Sequence, residues 1–273
     1  MKRTWQVATM AGAMFMLAGG ASAQQFNGGI PASWNCIGIC GAMGANGVVT
    51  ASPQAGSTQY GYVTTAGSTA QANLPGVGGT GTATNGSLLR SSAFSINSGA
   101  NLTFYFNYVT SDGAGYADYA WARLLNASDL SEAALLFTAR TDGAGGPIVP
   151  GFEMPDPEAT LTPASQAIQA GTEWSPLGGY SGQCFNTGCG HSGWIFSEFL
   201  VGMTGNYVLE FGVTNWNDEI YHSGMAFDGL AIDGTPIPGT TTPEPVSMAL
   251  LGTGLAGIAA ARRRRRQREQ DLD

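Results

Sequence analysis

Apolar and polar side chains alternate without a break along residues 102–108. Leu102, Phe104, Phe106 and Tyr108 fall on one face of an extended chain, and Thr103, Tyr105 and Asn107 on the other. The same period of two runs through Tyr207, Leu209, Phe211 and Val213. Shorter β-branched and aromatic runs at Thr58–Ala66, Ser91–Ile96, Asp118–Leu125 and Ser192–Gly202, and in SGMAFDGLAIDG (223–234), predict further strands. Turn residues such as Asn97-Ser98-Gly99 and Gly205-Asn206 separate them. Glu132–Arg140 reads as a strand, with a short helix as the alternative. No run sustains a helical period and no fixed-length repeat is present. Many strands on glycine-rich connections predict an all-β chain, a β-sandwich of jelly-roll type.

Two stretches break the pattern. Gly67–Gly86 is rich in Gly, Thr and Ala with little to bury, and Thr141–Gly179 is rich in proline; both read as long loops. The two chain ends differ again. Lys2 and Arg3 precede an apolar stretch from Val7 to about Gly19, then Ala21-Ser22-Ala23, the layout of a secretory signal peptide (1–23) cut after Ala23 by signal peptidase. At the other end a linker (235–242, TPIPGTTT) leads to Pro243-Glu244-Pro245, an apolar run Val246–Ala261, and an arginine cluster within 262–268. The run is about 16 residues, roughly 24 Å as a helix, where a comfortable span takes about 20. Arginines stay on the cytoplasmic side and can snorkel to lengthen a short span. The expected arrangement is one short transmembrane helix (246–261) with a cytoplasmic C-terminus and an exported domain over 24–234.

Charge sharpens this picture. Of the 273 residues, those between Gln24 and Thr242 hold three arginines, no lysine and fifteen carboxylates, a net charge of −12. Such a surface has no electrostatic footprint for nucleic acid or anionic lipid. Outside the cell, four cysteines read as disulfides. Spacing favours Cys36–Cys40 and Cys184–Cys189 among the three connectivities, and loops this short would gain little stability. A zinc site of Cys184, Cys189 and His191 is the rival reading.

Candidate chemistry is sparse. Asp112 and Asp118 flank a glycine-bearing loop, and Asp228 shares strand parity with Leu230 and Ile232, which would turn its carboxylate inward. An inward carboxylate needs a partner or a metal, and Ca²⁺ favours carboxylates beside glycine-rich backbone; Asp112, Asp118 and Asp228 are therefore candidate Ca²⁺ ligands, each with turn capping as the plainer role. Trp216, between Asn215 and Asn217, is a candidate exposed platform for a sugar ring, whereas Trp121 and Trp194 lie in strand runs and read as core. Glu198, Glu210, Asp218 and Glu219 offer no spacing that singles out a glycosidase pair. His191 and His222 are the only histidines, and no Gly-x-Ser-x-Gly turn accompanies them. The reading is not an enzyme.

The C-terminal order of Pro243-Glu244-Pro245, short apolar span and Arg262, Arg263, Arg264, Arg265 and Arg266 resembles the PEP-CTERM sorting signal of Gram-negative bacteria, with QREQDLD continuing past the arginines as a longer tail than usual. That resemblance covers about the last 30 residues. It implies an exosortase as partner, transient residence in the inner membrane, then the envelope, surface or extracellular space, and a role in an exopolysaccharide or biofilm matrix. MAFDGLAIDG resembles the closing strand of secreted jelly rolls, including carbohydrate-binding modules, and FYFNYVTSDGAGYADYAWARL looks like the central strand, acidic loop and strand of similar sandwiches. The expectation is a non-catalytic surface or matrix protein, with a Ca²⁺-assisted, lectin-like module for extracellular polysaccharide as the alternative.

Overall fold

The structure is a computed structural model and describes residues 26–237. The signal segment 1–23, the span 246–261 and the arginine cluster lie outside the described residues. Within them no helix is long and apolar enough to cross a membrane.

The described chain is all-β apart from a 3-10 segment at Ser175–Tyr180. In order the strands are β1 (Asn35–Ile37), β2 (Ile39–Met43), β3 (Tyr60–Thr64), β4 (Ala83–Arg90), β5 (Phe94–Ile96), β6 (Asn101–Thr110), β7 (Tyr119–Asn126) and β8 (Glu132–Arg140). They continue with β9 (Pro147–Val149), β10 (Thr160–Thr162), β11 (Gln166–Ala167), β12 (Gly190–His191), β13 (Ile195–Leu200), β14 (Gly205–Trp216), β15 (Ser223–Ile232) and β16 (Thr235–Pro236). One sheet runs β1-β4-β14-β7-β8, with β5 beside β14. The other runs β10-β13-β6-β15-β3-β2, with β12 on β6 and β16 on β15. Strands β9 and β11 pair apart, and all pairs are antiparallel.

The inner faces meet in one aromatic core. Phe211 of β14 stacks on Phe227 of β15 with centroids 3.9 Å apart, and Phe106 of β6 stacks on Phe137 of β8 at 3.8 Å. Both pairs join opposite sheets, so the two layers form a sandwich. Leu102, Phe104, Phe106 and Tyr108 all enter this core, as their alternation predicts. Glu132–Arg140 is a strand and not a helix, because Ala134, Leu136 and Phe137 bury against the opposite layer.

The outer faces are also covered. On the first sheet Trp121, Tyr119, Leu88, Leu135 and Trp216 pack under Ala72 and Leu74. The stretch 67–86 is therefore not the bare loop its composition suggests; it seals a second apolar layer and ends in β4. The stretch 141–179 likewise holds β9, β10 and β11 and buries Ile148, Leu161, Trp174 and Leu177. Trp194 is half-buried, edge-on to Tyr60 at 5.7 Å. The sandwich also runs past 234, since Thr235 pairs with Ile232 and Ile237 is in the core, which shortens the expected linker.

Both expected disulfides are present, which removes the zinc reading; His191 Nδ1 instead accepts from the Gly193 N–H at 3.1 Å. Cys36 pairs with Leu89 in one sheet and Cys40 with Val63 in the other. The chain crosses between layers at Gly38, where φ is +86°, and the bridge staples the crossing, a larger part than shaping a loop.

Candidate functional site

One end of the sandwich is built from polar groups where its middle is built from aromatics. There β6 runs out at Thr110, β7 begins, β14 ends at Trp216 and β15 starts at Ser223, which pairs with Thr110. Asp118 sits buried among them. Its Oδ1 accepts the Trp216 N–H at 2.8 Å and its Oδ2 the Ser223 hydroxyl at 2.6 Å. Ser223 Oγ also lies 2.7 Å from Thr110 Oγ1, and the Tyr108 hydroxyl donates to the Asp118 carbonyl at 2.8 Å. Asn215, buried alongside, donates to Asn85 Oδ1 at 3.0 Å, while its own Oδ1 has no partner.

Asp112 is buried at the same end, its N–H donating to Thr110 Oγ1 at 3.1 Å. Its Oδ1 accepts the Gly113 N–H at 2.7 Å, but its buried Oδ2 has no partner. Burial pushes the Asp112 carboxyl up to about 7, offset in part by that amide, with the charge of Asp218 adding to the rise. Burial, then the charge of Asp112, holds Asp118 well above the usual carboxylate range, against the donors Ser223 and Trp216. His222 adjoins the cluster with Nδ1 buried and unpartnered, and burial lowers its pKa.

Asp228 does not join them. It pairs with Tyr105, five residues along β15 from Ser223, about 16 Å at strand rise. The inward parity expected from Leu230 fails because the β15 register shifts between Asp228 and Ala231, with Gly229 at φ +71°. Leu230 thus faces the core while Asp228 faces the outer side of the second sheet, buried without a well-formed hydrogen bond. Burial raises its pKa, and the nearby Ser52 and Ser57 hydroxyls and Gly229 amide offset part of that rise. Among the described residues no three His, Cys, Asp or Glu side chains converge as a metal cluster, and Asp228 stands apart from Asp112 and Asp118.

Trp216 is 6% exposed and not a surface platform. Arg140, arriving from β8, stacks over its ring at 4.6 Å. Asn215 is buried. Asn217 is exposed, but its Oδ1 accepts the Thr82 N–H at 3.1 Å and its amide donates to the Gly115 carbonyl at 3.3 Å. All three residues predicted to hold a sugar are thereby engaged within the protein. A cavity of about 160 Å³ lies beside Trp216, lined among others by Gly79, Arg140, Phe152 and Glu153.

A further group of aromatics, with Tyr116 and Phe185 exposed and Tyr180 and Tyr221 half-buried, lies at the same end. Tyr116 meets Phe185 at 5.5 Å, Phe185 meets Tyr221 at 5.1 Å, and Tyr221 meets Tyr180 at 4.7 Å, a continuous strip from four separate segments. Phe185 is 44% and Tyr116 37% exposed. The Cys184–Cys189 loop carries Phe185 and is laced to the Asp112–Asp118 loop. Phe185 N–H donates to the Ser111 carbonyl at 3.0 Å, Ala114 N–H to the Thr187 carbonyl at 2.9 Å, and Asn186 Nδ2 to the Ala114 carbonyl at 3.2 Å. The sequence holds one trace of this strip, a phenylalanine inside a disulfide-clamped polar loop, where nothing local calls for an apolar ring.

Relationships to other proteins concern different parts of the chain. Residues 241–266 match the PEP-CTERM protein-sorting motif. The chain carries a PEP-CTERM sorting motif. That motif is consistent with an exosortase substrate and implies an exported protein destined for the cell surface. No curated protein matches the chain. In solved structures the chain is similar to the K1 cleaved adhesin domain of Lys-gingipain from Porphyromonas gingivalis W83, at 14% identity and TM-score 0.35, covering 77% of this chain and 95% of that one. It is also similar to the K3 cleaved adhesin domain of the same protein, at 12% identity and TM-score 0.36, covering 78% and 97%.

Proposed function

We propose that the chain is a non-catalytic surface or matrix protein: a jelly-roll sandwich held in the inner membrane by Val246–Ala261 with its C-terminus cytoplasmic, then processed near Pro243–Pro245 by an exosortase and delivered to the envelope or exopolysaccharide matrix. The motif at 241–266 carries this reading. The test is intact mass and cell fractionation of the protein from its host, with and without the exosortase. A mature chain beginning at Gln24 and ending near Pro245, lost from the surface fraction without the exosortase, is the expected result. A mass retaining Val246–Arg266 in both strains would make the tail a plain anchor and refute sorting.

The aromatic strip favours polysaccharide as the ligand of the exported domain. The exposed rings of Tyr116 and Phe185 offer apolar surface within polar loops, the kind of surface that stacks on sugar rings, and a net charge of −12 on residues 24–242 favours neutral over acidic glycans. Replacing Phe185 and Tyr221 together by alanine is expected to weaken retention on neutral polysaccharides by about tenfold, taking each ring–sugar contact at the low end of the ~0.5–1.5 kcal/mol of an aromatic pair. Unchanged retention of the double variant on a polysaccharide that holds the wild type would remove the strip from the reading.

A further inference from the structure

We propose that Asp112 and Asp118 form the carboxylate half of a Ca²⁺ site at the polar end of the sandwich, completed by neighbouring carbonyl and hydroxyl oxygens and water. Asp112 N–H donates to Thr110 Oγ1, which lies 2.7 Å from the Ser223 Oγ that donates to Asp118, so both buried aspartates belong to one hydrogen-bonded cluster, and burying them both as ions without a positive partner is costly. Among the described residues no positive group forms an ion pair with either aspartate. Arg90 and Arg123 are both bound to Glu210. Arg140 gives its Nε and Nη1 to the carbonyls of Ala117 and Gly78 and its face to Trp216, and forms no ion pair with either aspartate among the described residues. Burial lowers the pKa of His222, against the charge of Asp218.

The unused valence is oxygen. Asp112 is fully buried, its Oδ2 has no protein partner, and the buried Asn215 Oδ1 at the same end has none either. Asp118 uses one acceptor site on each oxygen and keeps the others. The two hydroxyls of Thr110 and Ser223 stand beside it, and no cysteine is free to compete. An all-oxygen set on a glycine-bearing loop suits a hard cation, and a flexible carbonyl-rich set suits Ca²⁺ better than the strict octahedron of Mg²⁺. Asp218 is close enough for its charge to act on both aspartates and so adds to the attraction without being required as a ligand. A bound ion would tie the Asp112–Asp118 loop to the start of β15 and hold Tyr116 in the aromatic strip. The proposal stands whether or not that strip binds sugar.

The test is calorimetric titration of CaCl₂ into the full-length chain stripped with EDTA, with melting curves in the presence and absence of the ion. One saturable site with Kd of about 10⁻³ M or tighter is expected, with a raised melting temperature and affinity for Mg²⁺ lower by about tenfold or more. Asp112→Asn removes charge while keeping an oxygen for the Gly113 N–H, and is expected to fold and to lose the Ca²⁺ response. Asp228→Asn, on the outer face, is expected to keep it. No heat and no melting shift in the wild type would overturn the site. Binding that survives both Asp112→Asn and Asp118→Asn would overturn it too; should Asp118→Asn not fold, Asp112→Asn alone decides.

Discussion

Glu210 is a point where one substitution should cost far more than its surroundings suggest. It lies on the outer face of the first sheet, fully buried, directly across from Arg90 on one side and Arg123 on the other. Its Oε2 takes the Arg90 Nε–H at 2.7 Å, and its Oε1 takes the Arg123 Nε–H at 2.6 Å and the Trp121 indole N–H at 3.2 Å. One carboxylate therefore satisfies two guanidiniums and a buried indole. Removing one member of a buried pair costs about 3–5 kcal/mol when the survivor stays dry. Here the side chains of Arg90 and Arg123 are 23% and 14% exposed and can partly rehydrate, which lowers the cost of Glu210→Gln to about 2 kcal/mol, nearer the value of charged hydrogen bonds. For a domain of this size that is a melting drop of about 4–8 °C. Removing either arginine alone leaves Glu210 with one cation, so Arg123→Met and then Arg90→Met should follow in decreasing order. Melting of the full-length chain in detergent reads this out. A drop below about 1 °C for Glu210→Gln, or equal costs for all three, would show that the cluster is solvated and the reasoning wrong.

Two further perturbations probe the same architecture. Gly38→Ala is expected to cost about 2–4 kcal/mol, from the left-handed backbone and from a methyl pressed onto Ser87, Ser68 and the Gly86 carbonyl at the sheet crossing. Gly99→Ala, at φ +83° with open space around it, should cost only about 1–2 kcal/mol, and equal melting drops for the two would sink the crossing argument. Asp228→Asn tests the outer carboxylate. A folded pKa above the unfolded value means the native state holds the proton more tightly, so stability is greatest below the unfolded value and falls as pH rises through the folded one. The variant should melt with the wild type near about pH 3.5 and above it at pH 7; a constant difference across that range would refute the assignment.

How much of this was legible follows from where the period of two survives. Strand β6 keeps it because a plain aromatic core lies on one side. Strand β4 loses it because Asn85 and Ser87 enter the polar end of the sandwich, where Ser87 donates to the Thr64 carbonyl at 2.6 Å and receives the Ile39 N–H at 2.8 Å. A strand whose inner residues are polar reads as a loop. Asp228 was misplaced by a register shift at a glycine, which no alternation count can see. Trp216 was misplaced because the guanidinium that covers it comes from β8, far away in sequence. Asp112 and Asp118 fall at one end of the sandwich because their loop is local; the aromatic strip leaves no local pattern, because it is assembled from four segments.

These departures gather at one end of the molecule, and that concentration is itself informative. The 112–118 loop, the Cys184–Cys189 loop and residues 217–222 meet there, with Asn217 and Tyr221 both at positive φ (+72° and +53°). Backbone held in such conformations costs of order 1–3 kcal/mol each and persists where surrounding contacts over-determine it. The disulfide at that end closes a loop of sequence separation 5, too short to draw much stability from the unfolded chain. Its effect is local: it fixes a loop that presents Phe185 to solvent. Strain, a local clamp, unpartnered buried oxygens and exposed rings all oppose stability or leave it unchanged, while the far larger aromatic core supplies it. An arrangement of that kind, gathered at one polar end of the sandwich, is where the proposed ion and the proposed ligand would each find their contacts.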